Sequence, residues 1–454
     1  MRREQYVPEC SVVVTHSDRR IGANAIPCRI DHHIRFDSDV LSSYVSRRWE
    51  PVIYDTLLLA AAVEFCDRKR LRPPMDWPRD FTLSLPVHDP ARWQAPIVYD
   101  ALVTALSSLT GDRWSLKFRR IRKSFEGRRQ ERLLFPSDVD SVVPFSDGLD
   151  SLAVAAIMEN DSPGEIIRVR VGSRPKRTQR RQRQPFAAIP FKVSMKSRGK
   201  QEASRRSRGF KFALVAGLAA YLVRAKSVIV PESGQGAIGP LLVNVGHAHP
   251  DRRTHPQFTK LMSVFLQKLL GYDVAFRHPT IWGTKAETLE RYRQIHPKST
   301  AWRGTRSCWQ DARQATVAGT HRQCGVCAAC LIRRVSLFAA GYEDPQDGYV
   351  WRNLRARSLW QGVDRRFHLR HGAQREYALA GVLHMDHLAD FGNLPQSDAV
   401  VDRQALILSK SLDMTFDESR AGIERLVAKH RDEWHSFLAS LPSTSFVRRW
   451  AESK

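Results

Sequence analysis

The segment between residues 141 and 231 alternates between two hydrophobic patterns. Short, continuous apolar runs at 141–145, 165–171 and 226–231 predict buried strands, because such runs are typical of strands that are covered on both faces. The longer, helix-prone segments 151–159 and 208–225 lie between these runs. The alternation predicts an α/β fold in which helices cover both faces of a parallel sheet.

The two flanking regions follow other patterns. Residues 1–138 mix β-rich pieces, such as CSVVVTH and FTLSLPV, with apolar helix segments, which predicts an N-terminal α+β region. From residue 346 onward the pattern is mainly helical. One helix near the C-terminus is predicted to gather its apolar residues on one face: Ile423, Leu426, Val427, Trp434, Phe437, Leu438 and Leu441. We therefore expect an N-terminal extension over 1–138, a central domain over 139–345 and a C-terminal helical region over 346–454.

Length and charge narrow the classes of function. A chain of 454 residues exceeds what one hydrophobic core usually holds, so two or more domains are expected. We recognise neither an apolar run of membrane length nor a signal peptide, which predicts a cytoplasmic protein with no membrane partner. The 72 Lys and Arg residues outnumber the 47 Asp and Glu residues, and the resulting net charge of +25 favours polyanionic partners, including nucleic acid. The basic segment 174–208 is either a solvated loop or a flap over a phosphate-rich ligand or nucleic acid.

The sequence SDGLDS at 146–151 joins a predicted strand to a predicted helix. In α/β sheets, ligands bind at such junctions, where the helix presents free N–H groups and the positive end of its dipole. Gly148 allows an anion to approach closely, Ser146 and Ser151 offer hydroxyl groups, and Asp150 can cap the helix or hold Mg²⁺. The pattern predicts either a capped turn or a phosphate-binding loop, but not a Walker A loop, whose G-x-x-x-x-G-K-[ST] signature the chain lacks.

Four of the seven cysteines lie within a short stretch. Cys308, Cys324, Cys327 and Cys330 have the spacing C-x15-C-x2-C-x2-C. Cysteines two residues apart form a tight knuckle whose thiolates converge on one ion, and a fourth cysteine completes a closed tetrahedral site. The spacing favours structural zinc, with an iron–sulfur cluster and a metal-free cluster as the alternatives.

A further glycine motif, SGQGAIG at 233–239, follows the strand predicted at 226–231. It contains G-x-G-x-x-G, which is typical of dinucleotide-binding sites. Pro240 follows at once and the next residues, LLVNVG at 241–246, are β-prone, which disfavours such a site. The motif is more typical of a ligand-side loop at the carboxyl end of a strand.

Taken together, these motifs resemble a known family. SDGLDS resembles the SGGxDS signature of PP-loop ATP pyrophosphatases, with Asp147 in the place of a glycine. In combination with RSRGFKFALVAGLAA, TKAE, TRSCW and CGVCAACLIRR, it resembles the 7-cyano-7-deazaguanine synthase (QueC) family over about residues 140–345. The resemblance implies a PP-loop fold and an ATP-dependent carbon–nitrogen ligase-like enzyme. Such an enzyme adenylates the carboxylate of a 7-deazaguanine-type substrate and releases pyrophosphate.

The resemblance also implies roles for individual residues, with ATP, Mg²⁺ and Zn²⁺ as cofactors. Lys285 is expected to neutralise charge on the α-phosphate, and together with Asp150 it forms the expected catalytic set. Arg206 and Arg208 are expected to reach the phosphates or the substrate carboxylate, and Glu232 and Gly234 to lie on the substrate-side loop. The residues expected around the triphosphate are Ser146, Asp147, Gly148, Leu149, Asp150 and Ser151.

The terminal regions have no counterpart in compact members of the family. In this respect the chain is similar to the QueC-like proteins of bacterial anti-phage operons, such as QatC of the Qat system. That similarity implies a protein partner encoded in the same operon. Two alternatives remain, a PP-loop enzyme that modifies tRNA or another nucleic acid, and a degenerate PP-loop scaffold that binds a partner protein.

Overall fold

The computed structural model describes most of the chain. The described residues are 9–16, 21–22, 24–37, 50–73, 78–121, 139–146, 148–172, 186, 188–195, 201–243, 249–310, 312–368 and 372–452. Most of the basic segment 174–208 and Asp147 lie outside them, so the predictions for that segment as a flap and for Asp147 remain predictions.

The elements are numbered in chain order. The strands are β1 (Cys10–Thr15), β2 (Ala25–Arg29), β3 (Ile34–Phe36), β4 (Asp80–Val87), β5 (Arg113–Arg120), β6 (Val139–Pro144), β7 (Glu165–Val169), β8 (Phe191–Val193), β9 (Ser227–Ile229), β10 (Ala275–Arg277), β11 (Thr316–Val317) and β12 (Thr320–His321). The helices are α1 (Pro51–Lys69), α2 (Pro90–Gln94), α3 (Pro96–Thr110), α4 (Leu149–Asp161), α5 (Arg208–Val223), α6 (Gly234–Ala237), α7 (Gly239–Leu242), α8 (Pro256–Leu270), α9 (Lys285–Ile295), α10 (Ala328–Ala339), α11 (Gly372–Ala389), α12 (Ser397–Leu412), α13 (Phe416–Ala439) and α14 (Phe446–Glu452).

The chain divides into two compact units, each built from separate stretches of sequence. Unit 1 comprises residues 1–146, 161–230 and 247–278, and unit 2 comprises residues 147–160, 231–246 and 279–454. The predicted boundaries at 138 and 345 follow the sequence pattern alone, and they remain predictions.

Unit 1 contains two parallel sheets. The first has the strand order β2-β1-β4-β5 and the second has the order β10-β9-β6-β7, with every neighbouring pair parallel. In β1, alternate residues such as Val12 and Val14 are fully buried, whereas β9 is buried along its whole length. This is the pattern expected of strands covered on one face and on both faces, respectively. One hydrophobic core joins these strands to α1, α3, α5 and α8.

The strands and helices predicted between residues 141 and 231 are confirmed as β6, α4, β7, α5 and β9. Two details differ from the prediction. Of the five strands described before residue 122, β1, β2, β4 and β5 form one parallel sheet and β3 pairs antiparallel with β8, instead of the expected α+β arrangement. Leu241 and Leu242, predicted as β-prone, lie in α7, because Pro240 occupies its first turn, where the fixed φ of proline suits a helix. The rest of that stretch, 244–246, is outside the described residues.

Unit 2 is mainly helical. The mainly helical pattern predicted from residue 346 is present from residue 372, where the described residues form α11 to α14. The predicted apolar residues of α13 are buried, and so is Leu441, which lies two residues beyond the end of this helix. A core of unit 2 joins α4 to α9 and α10 through contacts among Leu149, Ala153, Leu289 and Leu337. This core holds the first turn of α4 beside the first turn of α9. None of the described helices has the length and apolar character needed to cross a membrane.

Candidate active site

The first turn of α4 carries the central residues of the predicted loop. The Gly148 carbonyl accepts hydrogen bonds from the N–H group of Leu152 (3.2 Å) and the hydroxyl of Ser151 (3.1 Å). Leu149 is fully buried in the core of unit 2, which anchors this turn. Ser146 follows β6 and belongs to unit 1. The first turn of α4 also carries the positive end of the helix dipole, which favours an anion near Asp150.

Asp150 forms an ion pair with Lys285, the first residue of α9. The Lys285 ammonium lies 2.7 Å from Asp150 Oδ2, and the side chains are only 8% and 15% exposed. Burial alone would lower the pKa of Lys285, but the Asp150 and Glu232 carboxylates outweigh it and hold this pKa above its usual 10.5. The lysine is therefore cationic at neutral pH. The other oxygen, Asp150 Oδ1, is buried and has no hydrogen-bond partner among the described residues.

The backbone around Lys285 is fixed by a capping box. Thr284 is the N-cap of α9: its hydroxyl accepts a hydrogen bond from the Glu287 N–H group (3.2 Å), and its own N–H group donates to the Glu287 carboxylate (2.8 Å). Such reciprocal bonds satisfy two backbone donors at a helix start. The N–H group of Lys285 itself donates to Gln235 Oε1 (2.9 Å). The sequence pair Thr284–Glu287, three residues apart, is the local signal for this helix start.

The loop with Glu232 and Gly234 lies against the segment that leads to Lys285. The Glu232 carbonyl accepts a hydrogen bond from the Thr280 hydroxyl (2.9 Å), and the Gly234 N–H group donates to the Gly283 carbonyl (3.0 Å). A Cβ atom at Gly234 would overlap the Ile281 carbonyl, so only glycine fits there. The motif SGQGAIG is therefore used for close backbone packing in unit 2.

Arg206 and Arg208 lie in unit 1. Arg206 lies 3.6 Å from Asp251, a carboxylate that Arg253 also contacts. Burial lowers the pKa of both Arg206 and Arg208 below the usual 12.5. Between them, Ser207 donates two hydrogen bonds to Asp67, at 2.9 Å and 2.8 Å. The role of these arginines toward a substrate remains a prediction.

Three further polar residues near Lys285 were missed by the sequence analysis. Gln235 and His430 form a buried hydrogen bond of 2.8 Å, and Glu433 accepts a hydrogen bond of 2.5 Å from Thr284. The sequence carries a signal for two of these residues on α13, where His430 interrupts the apolar face of the helix and Glu433 follows one turn later.

Arg333 on α10 was also missed. Its side chain is fully buried and donates hydrogen bonds to the Thr305 hydroxyl (2.7 Å) and the Trp302 carbonyl (3.1 Å). Within the described part of the chain it makes no ion pair, although its charge acts on Lys285. Arg333 is thus held in unit 2 by hydrogen bonds to a hydroxyl and a carbonyl.

The four predicted cysteines converge in unit 2. The sulfur atoms of Cys308, Cys324, Cys327 and Cys330 all lie within 4.8 Å of one another, and three of the residues are buried. The Cys324 sulfur accepts hydrogen bonds from the N–H groups of Val326 (3.5 Å) and Cys327 (3.3 Å). Gly325, which follows Cys324 directly, has φ +91°, and a Cβ atom there would lie 2.7 Å from the Trp351 carbonyl oxygen.

This cluster fits a tetrahedral metal ion. Burial raises the pKa of the Cys324 and Cys330 thiols well above 9.0, so as free thiols both are neutral at physiological pH. A divalent cation supplies the charge that converts buried thiols to thiolates. With four sulfur ligands and no open position, the cluster suits structural zinc and leaves no place for substrate on the metal.

Comparison with known proteins gives a match to a protein family. The model of the family described as "Queuosine biosynthesis protein QueC" matches residues 241–341. This segment includes Lys285 and the four cysteines. The match supports a QueC-like family, and it suggests a PP-loop, ATP-using, ligase-like enzyme. No curated protein and no solved structure matches the chain.

Proposed function

We propose that the chain is a QueC-like ATP-dependent enzyme that adenylates the carboxylate of a 7-deazaguanine-type substrate and releases pyrophosphate. The observation that carries this proposal is the buried ion pair between Asp150 and Lys285 at the first turn of α4. A helix N-terminus with a buried cation beside it suits the phosphates of a nucleotide. The QueC match over 241–341 supports the substrate class.

The residues present fit ATP with Mg²⁺. Asp150 Oδ1, which has no hydrogen-bond partner among the described residues, is a carboxylate ligand of the kind that Mg²⁺ prefers. The proposed phosphate loop comprises Ser146, Asp147, Gly148, Leu149 and Ser151, of which Leu149 and Ser151 lie in the first turn of α4. Bound Mg²⁺ supplies charge neutralisation for the triphosphate.

In the proposed reaction, a carboxylate oxygen of the substrate attacks the α-phosphorus of ATP. The bond to the β-phosphate oxygen breaks, and pyrophosphate leaves with that oxygen and its electron pair. Negative charge grows on the α-phosphate oxygens during this step, and Lys285, held cationic by Asp150 and Glu232, neutralises it. A nitrogen nucleophile then displaces AMP from the activated carboxyl group. We assign the substrate side to the loop of Glu232 and Gly234, and to Arg206 and Arg208.

We further propose that the enzyme acts in anti-phage defence with a protein partner from the same operon, and that the zinc held by the four cysteines has a structural role. We place the partner-binding surface in the terminal regions, residues 1–138 and 346–454, which the resemblance to compact members of the family does not cover.

The direct test measures pyrophosphate release by the purified chain with ATP, Mg²⁺ and 7-carboxy-7-deazaguanine. Release is expected to require the deazaguanine and to fall about 100-fold or more in Asp150→Ala, since a lost transition-state charge contact has effects of this size. Asp432→Ala, which removes an exposed carboxylate on α13, is the matched control. Release that persists unchanged in Asp150→Ala would refute the assignment.

A second candidate is a PP-loop enzyme that modifies nucleic acid, which the net charge of +25 favours. In that case, binding of tRNA should weaken steeply as the salt concentration rises, and tRNA should replace the deazaguanine as the trigger of pyrophosphate release. If calorimetry with Mg²⁺ shows that the chain does not bind ATP at all, both enzymatic candidates fail and the scaffold alternative remains.

A further inference from the structure

Helix α13 lies against both segments that carry the candidate site of unit 2. One segment is the loop with Glu232 and Gly234, and the other leads from Ile281 into Lys285. Side chains from three successive turns of α13 reach these segments: Arg425, His430 and Glu433. This helix belongs to the C-terminal region, outside the part of the chain that the QueC family model matches.

The first link joins α13 to the backbone of Lys285. His430 Nε2 lies 2.9 Å from the Met385 carbonyl, which only accepts, so this ring nitrogen carries the proton. His430 Nδ1 therefore accepts, and Gln235 Nε2 donates to it (2.8 Å). This orientation leaves Gln235 Oε1 free to accept the hydrogen bond from the Lys285 N–H group (2.9 Å). Each donor in this series of hydrogen bonds faces an acceptor, which fixes both the tautomer of His430 and the orientation of the Gln235 amide.

The second link joins α13 to the N-cap of α9. The Thr284 hydroxyl donates to Glu433 Oε1 (2.5 Å) while it accepts a hydrogen bond from the Glu287 N–H group (3.2 Å). Both capacities of the hydroxyl are therefore used, and the residue immediately before Lys285 cannot rotate without breaking a bond. Glu433 is only 5% exposed, so water does not readily replace Thr284 as its partner.

Two further contacts join α13 to the same segments. Arg425 donates to the Trp282 carbonyl (2.7 Å) and to the Glu287 carboxylate (2.5 Å). A Cβ atom at Gly234 would lie 2.7 Å from Leu426 Cδ2, so the loop is in close contact with α13. Hydrogen bonds from α13 thus hold the segment that leads to Lys285, and close packing against α13 holds the loop with Gly234.

We propose that His430 and Glu433 of α13 are positioning residues, which fix the backbone of Thr284 and Lys285 and thereby hold the Lys285 ammonium against Asp150. The C-terminal region thus completes the candidate site instead of only extending the chain. This inference rests on the proposed function for its catalytic consequence, whereas its structural consequence is independent of substrate.

The experiment compares two substitutions of the same residue. Glu433→Leu removes the acceptor of Thr284, and Glu433→Gln retains it. We expect kcat for pyrophosphate release to fall about 10- to 100-fold in Glu433→Leu, because small displacements of a catalytic group have effects of this size. KM for ATP should change by less than about threefold, since the positioning acts on the transition state. Glu433→Gln should restore most of kcat, and Asp432→Leu, an exposed neighbour, is the matched control.

His430→Phe and Gln235→Met test the other link. Each should lower kcat about tenfold, and the double variant should be no worse than either single one, because both break the same chain of hydrogen bonds. Equal kcat in Glu433→Leu and wild type, or losses that add fully in the double variant, would overturn the proposal. A loss in Glu433→Leu that Glu433→Gln does not restore would overturn it as well.

Hydrogen exchange separates this proposal from the proposed function. The amides of residues 284–288 should exchange faster in Glu433→Leu and His430→Phe than in wild type, Glu433→Gln and Asp432→Leu, whatever the substrate. If exchange follows this pattern while the wild type releases no pyrophosphate, the proposed function fails and the positioning role stands. Unchanged exchange in Glu433→Leu and His430→Phe would refute the positioning role.

Discussion

Glu433 should make the stability of unit 2 depend on pH in a direction opposite to that of most carboxylates. Burial raises the pKa of Glu433 from its usual 4.5 to about 7, and the charges of Glu287 and Glu290 add to this rise, while the Thr284 hydrogen bond and Lys429 oppose it. The folded protein therefore holds this proton more tightly than the unfolded chain does. The resulting stabilisation is complete below pH 4.5 and is lost as the pH rises through 7.

Glu433→Gln removes this titration and retains the acceptor for Thr284. With pKa values of about 7 in the folded state and 4.5 in the unfolded state, the wild type loses about 2.5 kcal/mol between pH 5 and pH 8 that the variant does not lose. Urea unfolding, followed by tryptophan fluorescence, measures this difference at both pH values. The free energy of unfolding of the variant relative to wild type should be higher at pH 8 than at pH 5 by about this amount.

The control for this measurement is Asp432→Asn, which neutralises an exposed carboxylate on the same helix. Its stability relative to wild type should be the same at the two pH values within about 0.5 kcal/mol. If the relative stability of Glu433→Gln is equally insensitive to pH, Glu433 is not a buried carboxyl with a raised pKa, and the reasoning is wrong.

Three other changes test other parts of the chain. Cys327→Ser leaves three sulfur ligands, so the purified variant should unfold at a lower temperature than wild type and contain less zinc by mass spectrometry. Equal zinc content in the two proteins would contradict a zinc site at the four cysteines. Gly234→Ala should lower the free energy of unfolding by about 1–3 kcal/mol, because its Cβ atom would overlap neighbouring backbone. Gly304→Ala, which has open space around it, should leave the free energy of unfolding unchanged in the same urea titration. Equal stabilities of the two variants would contradict the close packing at Gly234. Asp112→Asn should cost about 3–5 kcal/mol, because two buried arginines, Arg72 and Arg79, each lose a carboxylate partner at 2.7 Å and are left to share Asp67. A calorimetric loss below about 1 kcal/mol would contradict this.

Local patterns were sufficient to predict many elements. The short apolar run before Ser146 and the glycine-containing turn after it correctly indicated a strand followed by a helix, β6 and α4. The C-x2-C-x2-C spacing correctly predicted that Cys324, Cys327 and Cys330 would converge, because the turn with Cys324 and Cys327 leads directly into the first turn of α10, which carries Cys330. In these cases the interactions that decide the structure lie within a few residues of one another.

Long-range pairing could not be predicted in this way. Asp150 and Lys285 each appeared as a candidate in the sequence, but their 2.7 Å contact depends on packing of α4 against α9. The link from Gln235 to His430 joins residues that are 195 positions apart, and no local pattern indicates it. The parallel pairing of β1 with β4 was also missed, since strand order depends on tertiary contacts and not on the period of a single strand.

An oxygen-labelling experiment tests the central claim most directly. The chain is incubated with ATP, Mg²⁺, ammonia and a 7-deazaguanine whose carboxylate carries ¹⁸O, and the AMP formed is analysed by mass spectrometry. If a carboxylate oxygen attacks the α-phosphorus, AMP acquires one labelled oxygen from the substrate, and the label is lost from the AMP pool when Lys285→Met blocks the reaction. AMP whose new oxygen comes from water, or ADP as the only nucleotide product, would contradict carboxylate adenylation.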